Sequence, residues 1–149
     1  MSWRAITEAD VLAVLTEPER IAVDESATGD QGSPVAAVIV SATAEARDRI
    51  AAHSANKLDA DASTVPEGMV HHLVAIIRYR LLSRLPVQSL ITEARTQEYR
   101  DARNYLTDVA KGLVSIEQPV SADTTPRKQM RPSIAAREKR FSRSQQDGI

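Results

Sequence analysis

VPEGMVHHLVAIIRYRLLSRL, residues 65–85, is the longest apolar-rich run of the chain. Its large apolar side chains recur at the three- and four-residue spacing of a helix. They form a stripe wider than a single packing seam: Met69, Val70, Leu73, Val74, Ile76, Ile77 and Leu81. A helix this broadly apolar packs against neighbours on more than one side. The run therefore predicts a central helix, with Pro66 at its first position and Pro86 just beyond its end.

Two arginines of this run, Arg80 and Arg84, fall within the apolar arc near its C-terminal end. In the simpler interpretation their stems lie on the core while the guanidinium groups reach water. Cations are also favourable at a helix C-terminus. In the alternative, they form ion pairs with a neighbouring chain. Exposed pairs contribute only ~0–1 kcal/mol, so the sequence favours the simpler interpretation.

The composition favours packed helices over a β-sandwich. The chain has 149 residues, enough for one domain, and only five aromatic residues, so its core must be mostly aliphatic and alanine. The absence of cysteine excludes disulfides and thiolate metal sites. We find no leader segment and no apolar run of about 18 residues. We therefore expect a soluble protein, synthesised in a cytoplasm and not exported by a signal peptide.

A short first helix is predicted near the N-terminus. Thr7 and Asp10 have the spacing of a capping box, and Pro18 is expected to help end the helix that they begin. Residues 19–32 contain two glycines and two aspartates and are predicted to be a loop. The residues before Thr7 form a lead-in to this helix.

The second predicted helix begins at Ser33-Pro34, a capping serine followed by a first-turn proline, and ends near His53. A polar connector, residues 56–64, follows it. Its acidic residues resemble the start of a calcium loop. However, the positions that should hold glycine and the closing glutamate are Thr64 and Val70. We therefore expect a solvated loop.

The fourth predicted helix follows the linker after Pro86. Thr92 is its expected cap, and apolar residues at alternating steps of three and four give it a narrow packing seam. Gly112 is expected to end it in the left-handed conformation. Leu113–Ile116 is the candidate for a short strand. The predicted fold class is thus mainly α: about four helices, at most a short strand or hairpin element, and an extended C-terminal tail.

The chain changes character at Glu117. Residues 117–149 carry seven Lys/Arg against four Asp/Glu, whereas residues 1–116 carry twelve against sixteen. The prediction is a helical domain over 1–116 with a net charge of −4 and a basic tail over 117–149 with a net charge of +3. The tail lacks the apolar density to fold alone, so it is either solvated or bound to another subunit.

The sequence contains no recognisable catalytic set. Adjacent helical residues point about 100° apart, so His71 and His72 cannot easily share one metal ion. There is no glycine-rich phosphate loop, G-x-S-x-G or H-E-x-x-H motif. We expect neither an enzyme nor a cofactor.

Three groups of residues resemble one phage family. They are Val65-Pro66 with Ala75 and Arg78–Leu81; Tyr99, Ala102, Leu106, Asp108–Ala110 and Gly112; and Arg140–Arg143 with Gly148. In this order and spacing, over about residues 35–149, the chain resembles the Mu-like phage gene-product-thirty-six family of small virion proteins. The connector before the proline is less rich in Tyr and Leu than the family usually has, and residues 19–32 show little of the pattern.

The resemblance implies a structural virion protein of the head–tail junction. Such a connector or adaptor forms a ring of copies below the portal protein, contacts other neck and tail proteins, and lets DNA pass without specific binding. The residues expected to bind partners are Arg78, Tyr79, Arg80, Arg84, Arg140, Phe141 and Arg143. With the family-like ending, the tail over residues 117–149 is expected to leave its own subunit and dock on a neighbouring one. The alternatives are another tail-completion role, or a DNA-binding regulator whose basic tail contacts phosphates. Acidic residues interleave the arginines of the fourth helix, which disfavours the regulator.

Overall fold

The computed structural model describes residues 2–27 and 33–122 of the chain. Within these ranges the fold is mainly helical, as the sequence predicts, with five helices and one pair of short strands. In chain order the elements are β1 (Trp3–Ala5), α1 (Glu8–Leu12), α2 (Glu17–Ser26), α3 (Pro34–Ala52), β2 (Thr64–Pro66), α4 (Glu67–Arg84) and α5 (Glu93–Lys111). A single 3-10 turn, Gln88–Leu90, lies in the linker between α4 and α5.

The central position predicted for α4 is confirmed. All seven apolar side chains of its predicted stripe are buried, because α3 and α5 pack on it and α1, α2 and β2 also contact it. Leu82, on the remaining side, is fully buried as well. The helix ends at Arg84, and Leu85 is extended before Pro86, as the residue before a proline prefers.

The start of α4 differs from the prediction. Pro66 is the last residue of β2 and the cap before the helix, which begins at Glu67. β1 and β2 pair antiparallel, with Trp3 opposite Pro66, so the predicted N-terminal lead-in is a strand. The backbone N–H of Glu67 donates to the Ser2 carbonyl at 3.2 Å, which continues this pairing into the first turn of the helix.

The predicted loop over residues 19–32 is wrong in its first part, because α2 occupies Glu17–Ser26. Pro18 lies in the first turn of α2, where a missing N–H costs nothing, and therefore starts a helix instead of ending one. The backbone N–H of Thr16 donates to the Glu19 carboxylate at 2.7 Å, one half of a capping box. Val23 anchors α2 in the core.

The helix caps predicted from the sequence are confirmed. The hydroxyl groups of Thr7, Ser33 and Thr92 each accept a hydrogen bond from the backbone N–H three residues later. Gly112 ends α5 with φ of 75°. The predicted strand at Leu113–Ile116 is absent from the described part of the chain, because this segment runs past the helix end without a pairing partner.

The connector of residues 56–64 is only in part the solvated loop that its composition suggests, since Lys57 and residues 60–63 are exposed. Asp59 and Thr64 are buried, because the Arg47 guanidinium from α3 donates to the carbonyls of Asp59, Asp61 and Thr64 at 2.7–2.8 Å. The same guanidinium lies 5.8 Å from the centre of the Trp3 ring. One cation thus holds the connector against both α3 and β1.

The first six residues of the predicted tail, residues 117–122, lie on the helical domain. Trp3 donates its indole N–H to the Glu117 carbonyl at 3.0 Å, and the Ser121 hydroxyl donates to the Asp59 carboxylate. Ala122 forms an isolated antiparallel bridge with Asp59. The predicted boundary between residues 116 and 117 therefore falls inside a segment that packs on the helical domain.

Candidate interface surfaces

Arg78, the first of the predicted partner-binding residues, is buried and bonded within its own chain. It is 8% exposed, donates to the Val14 carbonyl at 3.0 Å and forms an ion pair with Glu98 of α5. Glu98 also pairs with Arg95, which in turn binds the buried carboxylate of Glu19 at 3.0 Å. These ion pairs join α2, α4 and α5, and the Arg78 hydrogen bond adds the segment that follows α1.

Tyr79 and Arg80 also have partners inside the subunit. The Tyr79 ring stacks on Tyr99 with centroids 4.3 Å apart, and Arg80 forms an ion pair with Glu45 of α3. Glu45 is 3.5 Å from Arg103 as well. Burial raises the pKa of Glu45, but the hydrogen bond from Arg80 and the nearby cations outweigh it, so its pKa lies below the ordinary value.

The remaining predicted residues are exposed or lie outside the described residues. Arg84, in the last turn of α4, is exposed. Arg140, Phe141 and Arg143 lie beyond Ala122, outside the part of the chain that the structure describes. For all seven residues partner binding stays a prediction, although three of them have clear roles inside the subunit.

The predicted histidine pair lines a cleft beside Arg78. The cleft holds about 280 Å³ and is bordered by His71, His72, Glu98 and Asp101. His72 stacks on Tyr105 with centroids 4.0 Å apart, and burial lowers the pKa of this histidine. Among the residues that the structure describes, no three His, Cys, Asp or Glu are grouped closely enough to hold a metal ion.

An apolar groove of about 490 Å³ lies between α1, α3 and the connector. We call it the α3 groove. The residues that define it are Ile6, Glu8, Ile39, Val40, Ala44 and Ala62. Val40 is 69% exposed although it lies in the middle of a helix. The sequence contains a signal for this surface that periodicity did not reveal: α3 has no charged residue before Glu45.

Other large apolar side chains are exposed on several elements. Beyond Val40, they are Val14, Ile21, Val87, Leu113 and Val120. Single exposed apolar residues are normal on a protein surface, so these five alone define no interface. The α3 groove differs because its apolar residues are contiguous. No helix in the described ranges is long and apolar enough to cross a membrane.

Comparison with known proteins identifies the family. The family described as Bacteriophage Mu, Gp36 matches residues 6–133, most of the chain. The match begins earlier than the resemblance suggested and ends before Arg140–Arg143, so that motif lies outside it. Neither the curated proteins nor the solved structures give a significant match. The match covers the five helices of the described residues and both sides of the α3 groove, and the chain belongs to the Bacteriophage Mu Gp36 family.

Proposed function

We propose that this phage protein is a head–tail connector, a structural virion subunit that forms a ring below the portal. The observation that carries the proposal is membership of the Bacteriophage Mu Gp36 family over residues 6–133. The resemblance of the α4 and α5 motifs to small virion proteins of the head–tail region also supports the proposal. In the proposed role the partners are copies of the same chain, the portal protein and other neck or tail proteins, and the chain catalyses no reaction.

The described surface supports a role in assembly. A closed ring needs two different patches on each subunit, one for each neighbour. The α3 groove offers one contiguous apolar patch for such a contact. The charged residues inside the subunit, by contrast, are largely paired with one another. Apolar complementarity would therefore supply most of the proposed interface.

Electrostatics supports passage of DNA without tight binding. Residues 1–116 carry a net charge of −4, which repels phosphates. A DNA-binding regulator would present the arginines of α5 to phosphate groups. Arg95 and Arg103 instead bind carboxylates within the subunit, Glu19 and Glu45 respectively. We expect no gel shift with duplex DNA at physiological salt; a shift that weakens steeply with added salt would favour the regulator.

Loss of the gene tests the proposal. A phage that carries an amber mutation in this gene, grown without a suppressor, should accumulate DNA-filled heads and free tails that do not join. Complementation with the wild-type chain should restore tailed particles, and mass spectrometry should detect the protein in them. Tailed infectious particles made without the protein would refute the connector role.

A further inference from the structure

The α3 groove has properties that an ordinary solvent-exposed helix face lacks. From Ser33 to Ala44 the helix and its cap carry no charge over three turns, and Val40 stands 69% exposed on this face. Charged side chains normally cover the solvent side of such a helix. The groove is also a concavity of about 490 Å³ rather than a flat stripe, which is within the range of binding sites.

A buried hydroxyl lies in the same wall of the groove. Thr43 is 5% exposed, and its hydroxyl oxygen has no hydrogen-bond partner among the described residues. A buried polar group without a hydrogen-bond partner destabilises the folded state. The groove therefore combines an uncovered apolar face with a buried polar atom beneath it, and a chain segment bound there would cover the apolar face.

The chain itself passes close to the groove. Ala122, the last described residue, bridges Asp59, and three residues further along the connector Ala62 lines the groove. Paired strand residues are about 5 Å apart and three residues span at most ~11 Å, so the tail begins within roughly 17 Å of the groove. Residues 122 to 134 can extend over ~40 Å, which is more than sufficient.

We propose that residues 134–141 of the same chain occupy the α3 groove in the free subunit. The segment, IAAREKRF, has two large apolar side chains, Ile134 and Phe141, with two alanines after the first. Phe141 is seven positions after Ile134, the spacing at which two anchors share one helix face in helix-in-groove recognition. Burial of Phe141 is the largest apolar gain that the tail can offer.

Charge complementarity supports the same occupant. Residues 123–149 carry seven Lys/Arg and three Asp/Glu. Glu8 lines the groove and is exposed, and Asp61 lies on the connector next to Ala62. The hydrogen bonds from Ser63 hold the pKa of Asp61 below its ordinary value, so it is anionic near neutral pH. The basic tail would therefore bind a groove that is lined by apolar residues and has acidic residues at its edge.

Tethering favours the chain's own tail over that of another copy in dilute solution. A segment that is attached through a short stretch of its own chain has a millimolar effective concentration, well above usual protein concentrations. The claim concerns the free subunit and does not rest on the connector role. In an assembled ring the tail would have to leave this groove before it could dock on a neighbour.

Disulfide trapping tests the proposal directly, because the chain has no cysteine. Ala44→Cys in the groove is combined with Ser142→Cys beside Phe141 in the full-length protein. The matched control combines Ser142→Cys with Ala94→Cys, an exposed alanine of α5 that does not line the groove. Under mild oxidation we expect the groove pair to form an intramolecular disulfide at least tenfold faster than the control pair.

Each alternative result overturns the proposal. Equal rates for the two pairs would show that the tail is not held at the groove. A dimer-linking disulfide as the main product would show that the groove binds another copy. As a second measurement, the double variant Ile134→Ser, Phe141→Ser should raise hydrogen exchange of residues 34–44 several-fold. Unchanged exchange there, with the rest of the protein folded by circular dichroism, would also refute it.

Discussion

Replacement of Arg47 by alanine should destabilise the protein more than any other single arginine substitution on α3. The guanidinium donates three hydrogen bonds of 2.7–2.8 Å to backbone carbonyls of the connector. Hydrogen bonds from charged groups contribute ~1.5–3 kcal/mol each. Because Arg47 is half-buried and water can compete, we take ~1 kcal/mol per bond and expect a loss of ~3 kcal/mol in the free energy of unfolding.

Urea unfolding at pH 7 measures this loss, with far-ultraviolet circular dichroism for the helices. For a chain of this length ~1 kcal/mol corresponds to about 2–4 °C, so the melting temperature should fall by about 6–12 °C. The single tryptophan, Trp3, is an independent reporter because its ring centre is 5.8 Å from the Arg47 guanidinium carbon. Its fluorescence should change in the folded variant.

Two further variants make the result specific. Arg47→Lys keeps the positive charge, but its ammonium group cannot reproduce the planar hydrogen-bonding geometry of the guanidinium group. We therefore expect a smaller loss in the free energy of unfolding than for Arg47→Ala. Arg49→Ala, in the same helix and also half-buried, removes no hydrogen bond to the connector and should cost less than ~1 kcal/mol. If Arg47→Ala is no more destabilising than Arg49→Ala, water replaces these hydrogen bonds and the connector does not depend on them.

The remaining predictions concern a glycine, an acid and the tail. Gly112→Ala should lower the free energy of unfolding in urea by about 2–4 kcal/mol, because φ is 75° and a Cβ would lie 2.2 Å from the His53 ring. Gly68→Ala, in a helix and with open space around it, should raise the free energy of unfolding by ~0.5–1 kcal/mol. Equal effects of the two substitutions would refute this reasoning. The hydrogen bonds from Arg4 and Thr7 lower the pKa of Asp10, so Asp10→Asn should reduce the melting temperature at pH 7. The difference should shrink progressively as the pH falls below about 4, because the Asp10 carboxyl then takes up a proton in the unfolded chain before it does so in the folded protein; a difference that stays constant would contradict this prediction. Phe141→Ala should leave the circular dichroism unchanged but block the joining of heads to tails; normal yields of tailed particles would disprove this.

Local signals account for the part of the fold that was predicted correctly. The caps at Ser33 and Thr92 and the left-handed Gly112 depend on residues within one turn, and the sequence contains them all. The helical period of α4 likewise predicts its burial. α2 was missed although its signals are local, because Pro18 can start a helix as well as end one.

Long-range contacts account for most of what was missed. Trp3 pairs with Pro66 and donates to Glu117, residues that no local pattern connects to it. The arginine at position 80 could be placed within the apolar arc, but its partner Glu45 is on another helix. The sequence therefore predicted individual partner-binding residues but not a contiguous surface. The α3 groove was within reach, since a helix without charge over three turns predicts an uncovered face.

Cryo-electron microscopy of purified virions is the most direct test of the connector role. With a small epitope tag fused after Ile149 and labelled by its antibody fragment, the account predicts a ring of this subunit between portal and tail. The five helices of residues 8–111 should fit its density. A junction fully explained by other proteins, or label found elsewhere on the particle, would contradict the account.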